Sequence, residues 1–243
     1  MTAADAATLL PAWVLHRREY RETSLLLECL CAERGRVGVV ARGARSARSA
    51  LKGLLQPFQP LWLGLGGRGE LASLRTAEPR GRAPAIAGRT LASAFYVNEL
   101  VMRGCRREDP QPELFAAYEA VLQQLGAQAQ PAEVLRQFER RLLEALGYGL
   151  ALEADSDGMP IDAAASYCFH AESGAQRQPL QARCGAGTRV SGSTLQALAG
   201  GAFPGEVERR EARTLMRHCI THHFGNREFL SRRLFHDIAA GEA

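Results

Sequence analysis

Residues 24–65 read SLLLECLCAERGRVGVVARGARSARSALKGLLQPFQPLWLGL. Three apolar runs stand out: Leu25, Leu26, Leu27, Cys29 and Leu30; then Val37, Val39 and Val40; then Phe58, Leu61, Trp62, Leu63 and Leu65. Each is short and bounded by turn formers, at Arg34-Gly35, Gly43, Pro57 and Pro60, which fits strands better than helices. Upstream, Trp13-Val14-Leu15 opens another run, followed by a charged stretch through Glu22. Downstream, Leu71 and Leu74 mark a fifth segment beyond Gly66-Gly67-Arg68-Gly69. Five short strands in about 80 residues predict a small closed or nearly closed barrel, since an open sheet of that size leaves edges to protect.

Beyond the barrel the periodicity changes. A Pro/Gly/Arg-rich connector, Glu78 to Gly88, marks the expected domain boundary. Leu91, Ala94, Phe95 and Val101 begin a helical stripe. Pro112 opens a second helix, with Leu114, Phe115, Tyr118, Val121, Leu122 and Leu125 on one face and Gly126 as its stop. Pro131 opens a third, carrying Val134, Leu135, Phe138, Leu142 and Leu146, with Gly147 after it. Residues 150–192 are polar with weak periodicity and read as a small irregular insert or a hairpin. Helices are expected over Thr194–Ala199 and Glu206–His223, and a last turn over Ser231–Ile238. The expected organisation is a barrel over 1–80, a linker over 81–88, a helical domain over 89–150, the irregular insert over 151–192, and C-terminal helices over 193–243 packed on the helical domain.

The composition excludes several classes. The chain has 243 residues, 46% hydrophobic and 23% charged, which is ordinary for a globular protein and wrong for a disordered or fibrous one. No run of about 18 apolar residues exists to span a membrane as a helix. The first residues lack a basic region before an apolar run, so no secretory signal is expected. Six cysteines occur without a CxxC pair, which argues against a disulfide framework or a zinc knuckle and favours a reducing compartment. Cys168 and Cys184 read as isolated.

Charge is distributed unevenly. Residues 1–80 carry 12 basic against 7 acidic side chains, whereas the remainder is close to neutral. Within Arg34–Lys52 lie Arg34, Arg36, Arg42, Arg45, Arg48 and Lys52 with no acidic residue between them. A solvated basic face is the bland reading of such a window. The alternative is a mobile loop: Val37, Val39 and Val40 anchor its flank while Gly43, Ser46 and Ser49 let Arg42, Arg45 and Arg48 reach phosphates without reading bases. Arg68 and Arg75 extend the patch if their strands lie beside it. Phe58 and Trp62 fit core packing better than base stacking.

Other constellations are weaker. Gly64 to Gly69 lacks the Lys-Ser/Thr ending of a phosphate loop and reads as a hairpin turn. His218 and His222 share a helix face, but no HExxH motif accompanies them, so packing or surface histidines are the expected role and no metal is assigned. Asp155, Asp157 and Asp162 read as turn residues. A nuclease needs converging carboxylates; Glu19, Glu22, Glu28, Glu33 and Glu70 form no compelling pair. No strand–nucleophile–helix elbow is visible, so a Ser/Cys–His–acid nucleophile set cannot be assembled from the sequence.

Several ordered motifs resemble one family. Val14-Leu15-His16 through Glu22-Thr23-Ser24-Leu25, Gly35-Arg36-Val37, Ala41-Arg42-Gly43-Ala44-Arg45-Ser46, Leu51-Lys52-Gly53 and Leu55-Gln56-Pro57-Phe58 resemble the start of the RecO family. Gly66-Gly67-Arg68-Gly69-Glu70, Tyr96-Val97-Asn98-Glu99-Leu100, Leu135-Arg136-Gln137-Phe138-Glu139, Leu146-Gly147-Tyr148-Gly149 and Ser231-Arg232-Arg233-Leu234-Phe235 continue the likeness. It is strongest over 14–75, weakest over 151–205, and closest to the gamma-proteobacterial branch.

That resemblance implies an α+β multidomain protein: an N-terminal OB-fold β-barrel, an α-helical domain and a small irregular C-terminal insert. It implies a non-enzymatic, cytoplasmic, nucleoid-associated mediator of recombinational DNA repair, without cofactor. Such a mediator binds single- and double-stranded DNA, anneals complementary strands and, with the RecR partner, loads RecA onto DNA coated by single-strand-binding protein. It also docks the C-terminal tail of that binding protein. The implied tail site is Leu135, Arg136, Phe138 and Arg140, with Arg136 as the carry-over; a surface arginine on an amphipathic helix is the alternative. Some members carry a four-cysteine zinc module near the C-terminus. This sequence departs from that pattern, so 151–192 is expected to be a zinc-free remnant of doubtful local stability. The rival expectations are an adaptor that docks the tail without touching DNA, and a metal-dependent DNA enzyme.

Overall fold

Alternating inward residues fix the first five strands. A computed structural model of the chain describes residues 8–67, 70–127, 130–231 and 234. Strands β1 (Leu9–Tyr20), β2 (Ser24–Cys31), β3 (Gly35–Ala41), β4 (Pro60–Gly66) and β5 (Leu71–Pro79) close into a barrel of order β1-β2-β3-β5-β4. Leu25, Leu27, Cys29 and Cys31 of β2 face Val37, Val39 and Ala41 of β3 inside it, with Val14, Leu61, Leu63 and Ala72 completing the core. Burying a leucine such as Leu27 or Leu61 fully contributes about 2 kcal/mol. All pairs are antiparallel except β3 with β5, which run parallel through Gly38↔Leu71 to Val40↔Ser73. A short helix, α1 (Leu51–Leu54), bridges β3 and β4.

The charged stretch after Leu15 does not end β1. It continues as strand to Tyr20, past a register shift between Val14 and His16, and pairs with residues 24–28 of β2. The parallel pairing with β5 begins only at Gly38, so the N-terminal part of β3 needs another partner on that edge. The segment 105–109 supplies it: Arg36 bridges Arg107 in parallel, and Glu108 N–H donates to Arg36 O at 2.9 Å. Gly35 (φ +66°) sits beneath Asp109, whose carbonyl occupies the space a Cβ would need. Only glycine satisfies both the left-handed backbone and that approach.

Two helices pack with the barrel, α2 (Gly88–Gly104) and α3 (Pro112–Gly126). Trp13 meets Tyr118 edge-on at 5.8 Å, and its indole N–H donates to Glu119 at 3.1 Å. Arg80, from the connector, pairs with the same carboxylate and lies over the rings of Trp13, Trp62 and Phe115. Phe58 (φ +66°) packs edge-on against Phe95 at 5.0 Å. The connector 81–88 is thus internal to a unit comprising Met1–Ala127 and Leu230–Ala243.

The second compact unit is Gln128–Phe229. It contains α4 (Pro131–Ala145), strands β6 (Ser166–His170), β7 (Gly174–Arg177) and β8 (Thr188–Ser191), and helices α5 (Gly192–Gly200) and α6 (Glu206–Phe224). The insert expected to be irregular contains a regular three-stranded antiparallel sheet of order β7-β6-β8. Tyr167, Phe169, Ala175 and Val190 of this sheet join Leu195, Leu198, Leu215, Met216 and Cys219 in one apolar core. Cys168 and Cys184 are not isolated: they form a disulfide with Cα atoms 5.4 Å apart. Asp155 is a turn residue as read, its Oδ1 accepting from the N–H groups of Asp157 and Met159 at 3.1 and 2.9 Å. The expected last turn over Ser231–Ile238 lies almost wholly outside the described residues.

Candidate nucleic-acid interface

The strand register assembles one end of the barrel. Tyr20↔Ser24 closes the β1–β2 hairpin, and Leu25↔Ala41 brings the end of β3 beside it. The chain then leaves β3 as a loop over residues 42–50 that lies against the hairpin turn. Arg45 fixes it there. Its backbone N–H donates to Thr23 O at 2.8 Å, its guanidinium donates to the carbonyls of Arg21 and Glu22 at 3.3 Å each, and it pairs with Glu19 at 2.8 Å. Arg45 is therefore the loop's anchor.

The neighbouring cations are free of that duty. Arg42, Arg48 and Lys52 are exposed, and among the described residues none has an ion-pair partner. Arg75 lies on β5 two residues beyond Val40↔Ser73, the last pair of the parallel β3–β5 ladder. Arg75 is exposed and crosses over the backbone of Gly66, its Nε 2.6 Å from where a Cβ would stand. Arg68 lies outside the described residues.

Arg34 and Arg36 are not brought to this end. They sit where β2 meets β3 at the opposite rim, roughly 20 Å away along β3 at the usual rise per residue. Arg34 grips Glu108 with two nitrogens at 2.8 and 3.0 Å. Arg36 donates to Met102 O and lies 3.6 Å from Glu28, which also pairs with Arg107. Both arginines are engaged in holding the α2–α3 connection to the barrel.

Three cations escaped the sequence reading. Arg17, Arg18 and Arg21 are exposed on the end of β1 and its turn, beside the 42–50 loop. Arg17 reaches Leu55 O at 3.5 Å, and Arg21 lies 5.2 Å from the centroid of the Tyr20 ring. The signal was present in His16-Arg17-Arg18, but the charged stretch looked like a break between strands. It is a strand arm exposed on both faces, paired with β2 along its whole length.

The resulting surface is cationic, presented on strands and an anchored loop, with Glu19 paired to Arg45 and Glu22 exposed at the hairpin turn beside it. Such a surface neutralises phosphates and sets position without reading base edges. Cys29 and Cys31 are buried within the barrel, where burial pushes their thiols up, Cys31 to about 12.

The α4 residues present a different picture. Leu135, Arg136 and Phe138 are all buried, and Arg136 shares its guanidinium with Glu139 one turn on. Arg136 Nε has no acceptor among the described residues. Arg140 is half-buried and reaches Glu144 at 3.5 Å. The alternative of a surface arginine thus does not describe Arg136. A peptide carboxylate seated there would compete with Glu139 for the guanidinium. Elsewhere in this unit His222 meets Glu172 at 3.0 Å and His223 stacks on Tyr148 at 4.2 Å. No group of three metal-ligating side chains converges among the described residues.

Comparison with known proteins covers nearly the whole chain. Residues 7–82 match the family model for the Recombination protein O N terminal, and residues 87–233 match that for the Recombination protein O C terminal. The "DNA repair protein RecO" of Alkalilimnicola ehrlichii is 46% identical over 237 residues, covering 98% of this chain and 94% of the relative. The protein of that name from Halorhodospira halophila is 44% identical over 232 residues, covering 94% and 96%. That from Nitrosospira multiformis is 39% identical over 232 residues, covering 94% of each. With both halves matched in order and a barrel followed by helices and a small sheet, the chain belongs to the RecO family of DNA repair and recombination proteins.

Proposed function

We propose that the hairpin end of the barrel is a sequence-indifferent DNA surface, and that the protein uses it to anneal complementary strands as a recombination mediator. The observation that carries this reading is the set of exposed cations without acidic partners among the described residues: Arg42 and Arg48 on a loop pinned in place by Arg45, and Lys52 on α1 directly after it. Arg18, Arg21 and Arg75 widen the surface around them. Annealing follows from the electrostatics. Two phosphate backbones repel, a cationic surface offsets that repulsion, and contacts to phosphate leave base edges free to pair. Family membership supports the wider role: work with RecR to load RecA onto DNA held by single-strand-binding protein, in the bacterial cytoplasm. Docking of that protein's tail at Leu135, Arg136, Phe138 and Arg140 belongs to the same reading and requires the Arg136–Glu139 pair to open.

The test is a salt series. Single-stranded DNA binding by the triple variant Arg42→Ala, Arg48→Ala, Lys52→Ala is expected to fall at least about tenfold near 0.1 M salt, and its log–log salt slope to flatten by about 2. Strand annealing slows with it. An Arg34→Ala control keeps the slope, because Arg34 is spent on Glu108. An unchanged slope in the triple variant removes the loop from the DNA surface. Loss of binding with a retained slope also counts against it, since phosphate contacts must appear in the salt dependence.

A further inference from the structure

The second unit holds a feature that DNA binding does not use. β6 is the central strand of the β7-β6-β8 sheet, and Cys168 sits at its middle, wholly buried, opposite Gln176 on β7 and Arg189 on β8. The chain between β7 and β8 returns over this sulfur in a turn, Cys184-Gly185-Ala186-Gly187, closed by Gly187 N–H donating to Cys184 O at 2.8 Å. Gly185 (φ +52°) takes the left-handed backbone. At Gly187 a Cβ would stand 2.7 Å from Cys168 Sγ and 2.9 Å from His170 Cε1, so only glycine lets the turn close on the sulfur. His170 Nε2 is 3.5 Å from Cys168 Sγ. Arg189 pins the same connection from within, donating to Pro179 O at 3.3 Å and to Ala182 O. The sequence thus shapes a seat in which Cys184 meets Cys168, with an imidazole and a guanidinium close by.

We propose that Cys168 and Cys184 are a reversible redox-modification site, oxidised by hydroperoxides, that staples the β7–β8 connection onto the sheet. Cys184 is half-buried and is the member within reach of solvent. Its thiolate attacks a hydroperoxide; an S–O bond forms as the O–O bond breaks, and the alcohol or water leaves. The Cys168 thiolate, its proton passed to His170, then attacks the sulfenic sulfur. The S–S bond forms, the S–O bond breaks, and water leaves. Two thiols and one peroxide give one disulfide, one alcohol and one water; a dithiol reverses the step. Selectivity follows from position. The other four cysteines, Cys29, Cys31, Cys105 and Cys219, are buried, and burial pushes their thiols up, Cys105 to about 11 and Cys219 to about 12. The staple matters because the connection forms a wall of a cavity of about 590 Å3 lined by Gln178, Pro179, Leu180 and Arg189 together with Ser191 and Glu211. Within a thiol-buffered cell a bond of this kind acts as a switch rather than a permanent brace.

The experiment uses the full-length protein, first reduced with dithiothreitol and then treated with hydrogen peroxide. The expected result is loss of two of the six thiols, no intermolecular dimer, and a linked peptide pair carrying Cys168 and Cys184. Native trypsin cleavage after Arg183 slows at least about fivefold, and dithiothreitol restores both the thiols and the cleavage. Cys184→Ser, with its fold checked by circular dichroism, loses the peroxide effect on cleavage while still binding DNA. The proposal is overturned if all six thiols survive in the folded protein, if oxidation falls on other cysteines, or if the bond forms but trypsin and dithiothreitol are indifferent to it. None of these readings depends on whether the barrel binds DNA.

Discussion

Asn98 is a buried amide that serves two elements at once. From α2 its Nδ2 donates to Leu15 O on β1 at 2.8 Å, and its Oδ1 accepts from Tyr118 O–H on α3 at 2.6 Å. The carbonyl and the phenol both lie in a buried interface, where burial also pushes the Tyr118 hydroxyl up. Removing the amide strips a partner from each. At about 1–3 kcal/mol for each buried polar group left unsatisfied, Asn98→Ala is expected to destabilise the protein by roughly 3 kcal/mol. Urea unfolding checks this, and a shift below about 1 kcal/mol would show that water replaces the amide. DNA binding by the variant should keep its salt slope. Asn98 falls on the stripe of Ala94 and Val101, but its partners could not be read from the sequence, because Leu15 and Tyr118 come from distant parts of the chain. Arg34 and Arg36 illustrate the converse. Their charges were legible, while Glu108 and Glu28, which absorb them, are 74 and 8 residues away in sequence.

Elements with a strong period were readable, and those built by pairing were not. The stripes of α3 and α4 gave both helices nearly to the residue, with proline at each first turn. Strands β6 to β8 are 5, 4 and 4 residues long, too short to show an alternation, and exist because Cys168 and Tyr167 find partners on both sides. β1 was cut short because its outer arm is exposed on both faces and has no apolar pattern. The C-terminal segment is another element held by a distant residue. Glu99 on α2 accepts from the N–H groups of Leu230 and Ser231 at 2.9 and 3.1 Å and from the Ser231 hydroxyl at 2.9 Å. Burial alone would raise the Glu99 carboxyl, but these hydrogen bonds and Arg103 outweigh it and hold the group below its ordinary value. A lowered folded-state value stabilises the docked segment above the ordinary carboxylate range, and that stability is lost as pH falls through the folded value. Amide exchange at Leu230 and Ser231 should therefore be protected at neutral pH and lose protection only once pH has fallen below the ordinary carboxylate range. Glu99→Gln should lose most of that protection at every pH. Protection that is flat with pH in the native protein would mean Glu99 does not hold the segment.

At the scale of the molecule, the charge excess and the DNA proposal belong to the same unit. The barrel unit carries 19 basic and 14 acidic side chains in sequence, while residues 128–229 carry 11 and 12. A protein with a near-neutral second unit should bind DNA through a countable set of contacts. Arg18, Arg42, Arg48, Lys52 and Arg75 make five, and Arg17 and Arg21 bring the set to seven. At about 0.7 counterions released per contact on single strands and about 0.9 on duplex, the slope of log affinity against log salt should lie near −4 for single strands and near −5 for duplex. The ratio of the two slopes is as informative as their size, because one shared set of cations predicts a duplex slope about 1.3 times the single-strand slope. Fluorescence anisotropy with oligonucleotides of equal length, between roughly 50 and 300 mM salt, measures both. A duplex slope steeper than about −7 would require phosphate contacts beyond this end of the barrel, whereas slopes shallower than about −2 would reduce the surface to Arg42, Arg48 and Lys52. Equal slopes on the two substrates would mean that they use different residues, which would separate duplex binding from the surface proposed for annealing.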